Sequence, residues 1–297
     1  MQRSTSRRTV LTAFAAAATA GAPVLGQLAA AAPASAATTA DGEYPSNTAL
    51  YQDPTRHEGT DFSRRYRRHQ QLDPSMSATY AFPRTAVLAL HGGGIEIGTS
   101  ELCLGIAGYS PGDPAGTPVL PSVHDYWMFE GLLSIGNSAL HVTSKNCDDH
   151  VALSTAASHL NVLSLHGCKF DQLNLPTGTF PPTGDRRVAV VGGLNGALRT
   201  ELVKELKAAG FPAVDSLSPA YADLLGEFNG DHVDNPCNRT MLRMGAQLEL
   251  TTELRTSLFD DSSSRSARAA TWNAEFVKFR DACRRAIATV EATQPIL

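Results

Sequence analysis

The run from Thr85 to Glu96, TAVLALHGGGIE, constrains the fold of this chain more than any other stretch. A mostly apolar segment that favours a buried β-strand ends at His91, and three glycines then lead towards Glu96. Glycine tolerates positive φ, so the chain can fold back here and bring the carboxylate beside the histidine. The pattern predicts a strand that holds a histidine at its carboxyl end, next to a carboxylate.

A second histidine follows a similar strand. Val162 to Gly167, VLSLHG, repeats the pattern of strand, histidine and glycine. Two histidines at the ends of neighbouring strands, together with one carboxylate, form a common ligand set of catalytic zinc with one open position. We therefore predict that His91, Glu96 and His166 bind Zn²⁺.

His141 is an alternative to His166 as the second histidine ligand. It lies in the segment from Leu140 to Thr143, which the sequence also predicts as a strand. If His141 is not a ligand, we expect it to form a hydrogen bond to a ligand or to the substrate.

Apolar strands alternate with helical segments along the chain. Besides the two strands that end in histidine, strands are predicted over 126–132, 187–191 and 247–250, and a C-terminal helix over about 267–293. This alternation predicts a single α/β domain with a mixed, mostly parallel sheet and helices on both faces. Ligands bind at the carboxyl ends of such strands, so we expect the glycine turn at 192–193 to share the edge of the two histidines.

The N-terminal residues 1–36 resemble a twin-arginine signal peptide. They contain SRRTVL, an alanine-rich stretch without acids, and a terminal Ala-Ser-Ala cleavage site. We predict secretion of the folded chain, to the periplasm or the exterior, without a stable membrane anchor, because prolines interrupt this weakly apolar stretch. Residues 37–57 are predicted to form a polar linker or surface arm, and residues 58–297 the functional domain.

Charge and cysteine content limit the possible partners. Cleavage removes three arginines and no acid, so the formal charge changes from −4 to −7, which argues against nucleic acid. Five cysteines in an exported chain suggest one or two disulfides and one thiol left over. Cys168 and Cys237 lie near the candidate site, but the chain lacks the C-x-x-C spacing of a thiolate zinc site, which favours buried or bridged thiols. The basic run at 64–69 predicts either a solvated helix face or a contact surface for an anionic substrate. We expect a monomer.

A serine esterase is a competing interpretation. HGGG after a strand matches the oxyanion motif of lipase-like hydrolases, and Gly108 to Gly112, GYSPG, matches the nucleophile motif with Ser110 at its centre. A nucleophilic serine of this kind lies between a strand and a helix, whereas Ser110 lies in a turn-rich stretch. The context therefore favours the metal site.

Two further motifs lie downstream. Asn235 to Arg239, NPCNR, contains the pair Asn238 and Arg239, whose N–H groups suit a carboxylate. Gln247 to Leu250, QLEL, places Glu249 in a short apolar strand, where a carboxylate is costly to bury unless it is paired or functional. The alternative is a glutamate that faces solvent on an edge strand.

Taken together, HGGGIE at 91–96, LHVTS at 140–144, SLHG at 164–167, NPCNR and QLEL resemble the poly-γ-glutamate hydrolase family. The resemblance covers about residues 45–290. It implies a compact relative of the zinc carboxypeptidases, with His91, Glu96 and His166 as zinc ligands and Glu249 as the catalytic carboxylate. It also implies that Asn238 and Arg239 bind a substrate carboxylate.

The resemblance implies an exported zinc-dependent amidohydrolase that cleaves γ-glutamyl amide bonds, with an anionic γ-glutamyl polymer or peptide as its substrate. A carboxypeptidase- or deacylase-like enzyme that acts on another acidic or cell-wall peptide is an alternative. A non-catalytic exported binding protein is a further one.

Overall fold

A central sheet organises the computed structural model, which describes residues 44–68, 83–113, 116–175, 180 and 184–294. Its strands are β1 (Phe62–Arg67), β2 (Thr85–Gly93), β3 (Asp125–Gly131), β4 (Asn161–Cys168), β5 (Ala189–Gly192), β6 (Ala213–Asp215) and β7 (Ala246–Thr251). Within the same ranges, the α-helices are α1 (Asn47–Gln52), α2 (Thr99–Ala107), α3 (His150–Ala157), α4 (Gly196–Ala208), α5 (Thr252–Ser257), α6 (Arg265–Thr271) and α7 (Ala274–Glu291).

Most strands of the sheet are parallel. The strand order is β1-β3-β2-β4-β7-β5-β6, and the four strands from β3 to β7 run in one direction. At one edge β1 is antiparallel to β3, and at the other β5 is antiparallel to β7 and parallel to β6. The predicted mixed, mostly parallel sheet is confirmed.

Helices cover both faces of the sheet, because successive strand residues point to opposite sides. In β2, Val87 and Ala89 belong to the core formed with α2, α4 and α7. Leu88 and Leu90 belong to the core formed with α1 and α3. Burial on both faces explains why this strand is continuously apolar instead of alternating with polar residues.

The glycine turn at 192–193 does not share the edge of the two histidines, so that prediction is wrong. β5 runs antiparallel to β7, and Gly192 pairs with Gln247 near the start of β7. The carboxyl end of β4, by contrast, lies level with the carboxyl end of β7. The apolar sequence of a buried strand indicates its burial but not its direction, which explains the error.

The N-terminal part of the described chain is more regular than the sequence suggested. α1 lies within the segment 37–57, and its Leu50 is fully buried in the core under the sheet. Residues 64–67 of the basic run belong to the edge strand β1, not to a helix face. Two of these arginines are paired with acids: Arg64 contacts Glu58 at 2.6 Å and Asp149 at 3.2 Å, and Arg65 contacts Glu130.

Two other predicted elements differ from the structure. Residues 140–143 do not form a strand: Leu140 ends the 3₁₀ turn Asn137–Leu140, and residues 141–143 have no regular secondary structure. The predicted C-terminal helix is divided into α6 and α7. Asn273 separates them, since its side-chain oxygen accepts hydrogen bonds from two N–H groups in the first turn of α7 and so starts a new helix there.

All five cysteines are free and buried, which contradicts the predicted disulfides. They are distributed over three separate hydrophobic cores, where each thiol packs as a small apolar side chain. The cysteines are Cys103, Cys147, Cys168, Cys237 and Cys283.

The predicted signal peptide, residues 1–36, lies outside the described residues. Within the described ranges, no helix combines the length and the apolar character needed to cross a bilayer.

Candidate metal centre

His91 lies beside Glu96 because β2 ends in a sharp turn. Gly93 has a φ of 66°, and a Cβ at this position would lie 2.4 Å from the carbonyl oxygen of Gly131 in β3, so only glycine fits. The N–H of Glu96 donates to the carbonyl oxygen of His91 at 2.9 Å and closes the turn. Oε1 of Glu96 consequently lies 3.0 Å from Nδ1 of His91.

β4 supplies the second histidine. Nδ1 of His166 lies 3.2 Å from Nδ1 of His91 and 3.9 Å from Oε2 of Glu96. The backbone N–H of Gly167 donates to the same carboxylate oxygen at 2.8 Å and holds it in place. One ligand atom from each of the three residues can be chosen so that all lie within 4.8 Å of one another. The structure thus brings together the three predicted ligands.

The other ring nitrogens of the two histidines have protein partners. Nε2 of His91 lies 2.8 Å from the carbonyl oxygen of Val142, so it carries the proton in the neutral ring and leaves a lone pair on Nδ1. Nε2 of His166 lies 3.0 Å from Oγ of Ser164, which allows the same arrangement. Hydrogen bonds of this kind fix the orientation of histidine ligands at metal sites.

Two nitrogen lone pairs and a carboxylate that converge on one place repel each other unless they share a cation. Burial favours the deprotonated imidazole that a metal requires. Burial, together with His91, lowers the pKa of His166 to about 3. For Glu96, burial by itself raises the pKa, but the imidazoles of His91 and His166 outweigh this effect and lower it to about 2. The donor set of two nitrogens and one carboxylate fits zinc.

A cavity of about 400 Å³ opens over these three residues. Its remaining wall comes from segments 141–145, 226–235 and 247–249. The three ligands therefore lie at the base of a pocket with room for a small substrate segment.

Glu249 lies in the wall of the cavity, on β7, and pairs in register with His166 of β4. Glu249 as a whole is half-buried, and its Oε1 accepts a hydrogen bond from Nε2 of Gln247 at 3.2 Å. Burial raises the pKa of Glu249 well above its ordinary value, the nearby Glu96 raises it further, and Arg255 opposes both. The interpretation of Glu249 as an exposed edge-strand residue does not fit this position.

Arg255 acts at this site through its charge. Its guanidinium is buried and donates to the carbonyl oxygens of Leu250 and Ile97, at 3.1 Å and 2.6 Å. It also lies directly under Gly167, where a Cβ would be 2.5 Å from Cζ of the arginine. The guanidinium is thus held by hydrogen bonds within the protein, and it supplies a fixed positive charge near the carboxylates of Glu96 and Glu249.

His141 lines the same cavity without joining the ligand set. Its ring is half-buried and lies 3.9 Å from the ring of His91, centroid to centroid, at an interplanar angle of 39°. Of the two candidates for the second histidine, the structure brings His166 to the carboxylate and keeps His141 against the outer face of His91.

Asn238 and Arg239 do not line this cavity. Asn238 is buried, and its amide connects main-chain groups: Oδ1 accepts from Leu194 and Gly245, and Nδ2 donates to Gly230. Arg239 pairs with Asp234 at 2.9 Å and lines a different pocket. The side chain of Asn238 therefore supports the loop beside the metal centre.

Ser110 is also outside the cavity. It follows α2 and not a strand, and the residues that line the pocket do not include it. The N–H groups of the glycine turn are used within the protein, since Gly93 donates to Oγ of Ser100 at 2.8 Å and Gly94 to the carbonyl oxygen of Gly131 at 2.9 Å. The local geometry gives the serine esterase no support.

Several residues of the cavity wall were not predicted from the sequence. Lys145 follows the LHVTS motif directly, so its position next to His141 offered a signal. The segment 226–235 has no periodicity and no motif until NPCNR, and the sequence carried no sign that Glu227, Asp231 and His232 lie at the pocket.

Comparison with known proteins adds three findings. A sequence model of the family described as poly-gamma-glutamate hydrolase matches residues 61–282. UPF0714 protein YndL of Bacillus subtilis (strain 168) is 34% identical over 195 residues, which cover 66% of this chain and 64% of YndL. The SPbeta prophage-derived UPF0714 protein YoqZ of the same organism is 31% identical over 180 residues, which cover 60% of this chain and 52% of YoqZ.

Solved structures are similar over nearly their whole length. A bacteriophage poly-gamma-glutamate hydrolase has a TM-score of 0.64 and 26% identity, with 84% of this chain and 99% of that chain covered. The zinc-free apo form of YndL has a TM-score of 0.61 and 28% identity, with 83% and 98% covered.

Proposed function

The chain belongs to the poly-gamma-glutamate hydrolase family, and on this premise we propose that it is a zinc-dependent amidohydrolase that cleaves γ-glutamyl amide bonds, those of poly-γ-glutamate in particular. The convergence of His91, Glu96 and His166 at the base of a cavity whose wall contains Glu249 carries the proposal. The description of the YndL structure as zinc-free supports zinc as the metal.

In this proposal, Nδ1 of His91, Nδ1 of His166 and the carboxylate of Glu96 would hold the zinc ion. When bound, zinc would supply Lewis-acid activation of the attacking water and of the carbonyl under attack. Val142 and Ser164 keep the two imidazoles in the orientation that directs Nδ1 to the metal.

Glu249 is the proton carrier of the proposed reaction. It takes the proton of the attacking water and passes it to the leaving amine. Burial and the nearby Glu96 raise the pKa of Glu249, which suits a carboxyl that must hold a proton between the two transfers, while a bound cation would act in the opposite direction. Its place opposite His166 in the strand register puts it in the cavity wall next to one of the metal ligands.

Lys145 is proposed to bind the substrate. Every residue of a γ-glutamyl polymer carries a free α-carboxylate, so a cation near the cleaved bond would favour this substrate. Among the described residues that line the cavity, Lys145 is the only lysine or arginine. Arg239, for which the sequence suggested this role, faces Asp234 instead. The ammonium of Lys145 is exposed, so it can reach a bound carboxylate without a large desolvation cost.

The chain is also proposed to be exported by the twin-arginine route, on the strength of Arg7, Arg8 and the alanine-rich segment behind them. Replacement of both arginines by lysine in the precursor should retain the protein inside the cell, whereas Arg3→Lys should not. Secretion of the double variant at the wild-type level would exclude this route.

The proposed activity is tested by incubating the mature protein with poly-γ-glutamate and following the size of the polymer by size-exclusion chromatography. We expect shortening that stops with a chelator and returns with zinc. Polymer of unchanged length, in the presence of bound zinc, would contradict the proposal and favour another acidic or cell-wall peptide as the substrate.

A further inference from the structure

Gln247 forms a hydrogen-bonded bridge between Glu249 and the neighbouring loop. The two residues are separated by one position on β7, so their side chains point to the same face of the sheet, and both line the cavity. Nε2 of Gln247 donates to Oε1 of Glu249 at 3.2 Å and to the carbonyl oxygen of Phe228 at 3.3 Å. Gln247 is itself buried, with 4% of its surface exposed.

A second amide fixes the orientation of the first. Oδ1 of Asn235 accepts from the backbone N–H of Cys237 at 3.2 Å, so its Nδ2 is the end that faces Gln247. Nδ2 of Asn235 donates to Oε1 of Gln247 at 2.8 Å. The acceptor end of Gln247 therefore faces Asn235, and the donor end must face Glu249. The backbone N–H of Cys237 thus sets the orientation of both side-chain amides, so that Gln247 presents its NH₂ group to Glu249.

The loop approaches closely enough for this bridge only because residue 230 is glycine. Gly230 has a φ of 60°, and a Cβ there would lie 2.2 Å from Cδ of Gln247. A side chain at this position would displace the amide from Glu249.

The neighbouring strand repeats the arrangement. Ser164 of β4 lies two residues before His166, on the same face, and contacts its Nε2 at 3.0 Å. In the parallel register of the two strands, Ser164 pairs with Gln247 and His166 pairs with Glu249. Each strand thus presents a functional side chain and, two residues earlier, the polar side chain that holds it.

From this geometry we infer that Gln247 is a positioning residue for Glu249, and that Asn235 sets the direction of its amide. The inference rests on the proposed function, in which Glu249 transfers the proton. The hydrogen bond to Oε1 fixes the rotation of the carboxyl group, and this fixes where Oε2 points for proton transfer. Because a displacement of about 1 Å can cost roughly 100-fold in rate, loss of the bridge should lower kcat with little change in KM.

A double-mutant cycle with Glu249 provides the test. We expect Gln247→Met to lower kcat on poly-γ-glutamate roughly 10- to 100-fold, with the zinc content and KM of the wild type. In the Glu249→Gln background the same change should have no further effect, because no proton carrier remains to be positioned. Gln294→Met, which removes an amide paired with Asn161 away from the cavity, is the matched control and should retain wild-type kcat.

A second variant tests the direction of the amide. Asn235→Asp retains the acceptor for Cys237 but removes the donor to Gln247, so the amide of Gln247 should rotate and present its oxygen to Glu249. We expect the same loss of kcat although neither Gln247 nor Glu249 has changed. In the zinc-free protein, the side-chain NH₂ resonance of Gln247 should shift both in Asn235→Asp and in Glu249→Gln.

If the wild type is active, three results would overturn the inference. These are additive losses in the cycle, an unchanged kcat in Gln247→Met, and an NH₂ resonance of Gln247 that does not shift in Glu249→Gln. A wild type that does not shorten poly-γ-glutamate would overturn the proposed function and this inference with it.

Discussion

In the proposed mechanism, three residues of the candidate metal centre hold a cation and a fourth transfers a proton. His91, Glu96 and His166 direct lone pairs to one place, and their second nitrogen or oxygen is held by protein groups. Glu249 lies opposite His166 in the strand register. Among the described residues, the amide of Gln247 is the only group that donates a hydrogen bond to its carboxylate. This difference in partners is the basis for assigning the two roles to different carboxylates.

Glu249→Gln should separate the two roles. We expect the variant to keep its fold and its zinc and to lose hydrolysis by about 10²–10⁴-fold, the usual contribution of a positioned general base or acid. Activity is measured by polymer sizing and zinc by elemental analysis. Glu227→Gln removes a carboxylate from the same cavity and serves as the control, with activity close to the wild type. If Glu249→Gln loses its zinc, Glu249 is a ligand and the assignment fails.

Lys145→Met should raise KM for γ-glutamyl substrates roughly tenfold, the equivalent of about 1.4 kcal/mol, and leave kcat little changed. Lys145→Arg should restore most of the binding, because it keeps the positive charge. Arg239→Met is the informative comparison, since that side chain faces Asp234 and not the cavity. If Arg239→Met raises KM more than Lys145→Met does, Arg239 and not Lys145 binds the substrate carboxylate.

The sequence identified the residues that the structure brings together at the metal centre because each follows a strand in a local pattern with glycine. Lys145 and Gln247 could not be assigned in this way. Their roles depend on which loops meet over the end of the sheet, and the segment 226–235 reaches the cavity through contacts that are remote in sequence. Asn238 shows the opposite error. Its position next to Arg239 in the sequence suggested substrate binding, whereas its side-chain amide connects main-chain groups.

At the level of secondary structure, the turn after β2 determines the site. It places His91 at the end of the strand and Glu96 beside it, and it does so through a residue with positive φ that packs against β3. A zinc ion held by His91 and Glu96 would therefore stabilise this turn, because a ligand that binds only the folded arrangement favours it.

Gly93→Ala should destabilise the protein by roughly 1–3 kcal/mol, since it combines an unfavourable φ with a clash against Gly131. It should also weaken zinc binding, because Glu96 moves with the turn. Gly136→Ala is a matched control: its φ is 75°, but nothing lies within 4 Å of the added Cβ. Thermal unfolding and zinc titration distinguish the two variants, and equal zinc affinity in both would show that the turn does not position Glu96.

Strands and helices with strong local patterns were predictable from the sequence. The direction of each strand and the identity of the edge strands were not. The buried strands β2 and β4 follow from continuous apolar sequence. β5 has the same pattern but runs in the opposite direction, which places its glycine turn away from the site. β1 was missed because its arginines suggest a solvated face, whereas in the structure Arg64 and Arg65 lie on an edge strand and pair with Glu58 and Glu130.

The whole molecule is held together without disulfides. Its thiols are buried in three cores, and burial raises the pKa of each of them above the ordinary value. Folding of this chain therefore requires no disulfide formation, which is compatible with folding before export on the proposed twin-arginine route.

The folded protein should therefore react slowly with the thiol reagent DTNB, and the unfolded protein should release the equivalent of all five cysteines. The Tm should be the same with and without a reductant. A Tm that falls by several degrees on reduction would reveal a disulfide and contradict the structure.

We propose that His91, Glu96 and His166 bind one zinc ion through the two Nδ1 atoms and the carboxylate. Anomalous diffraction at the zinc edge, from crystals of the zinc-loaded protein, locates the ion and so tests this claim. We expect one peak per chain, about 2.0–2.1 Å from each Nδ1 and about 2.0–2.2 Å from an oxygen of Glu96. A peak bound through Glu249, through His141 in place of His166, or at another site altogether would contradict the claim.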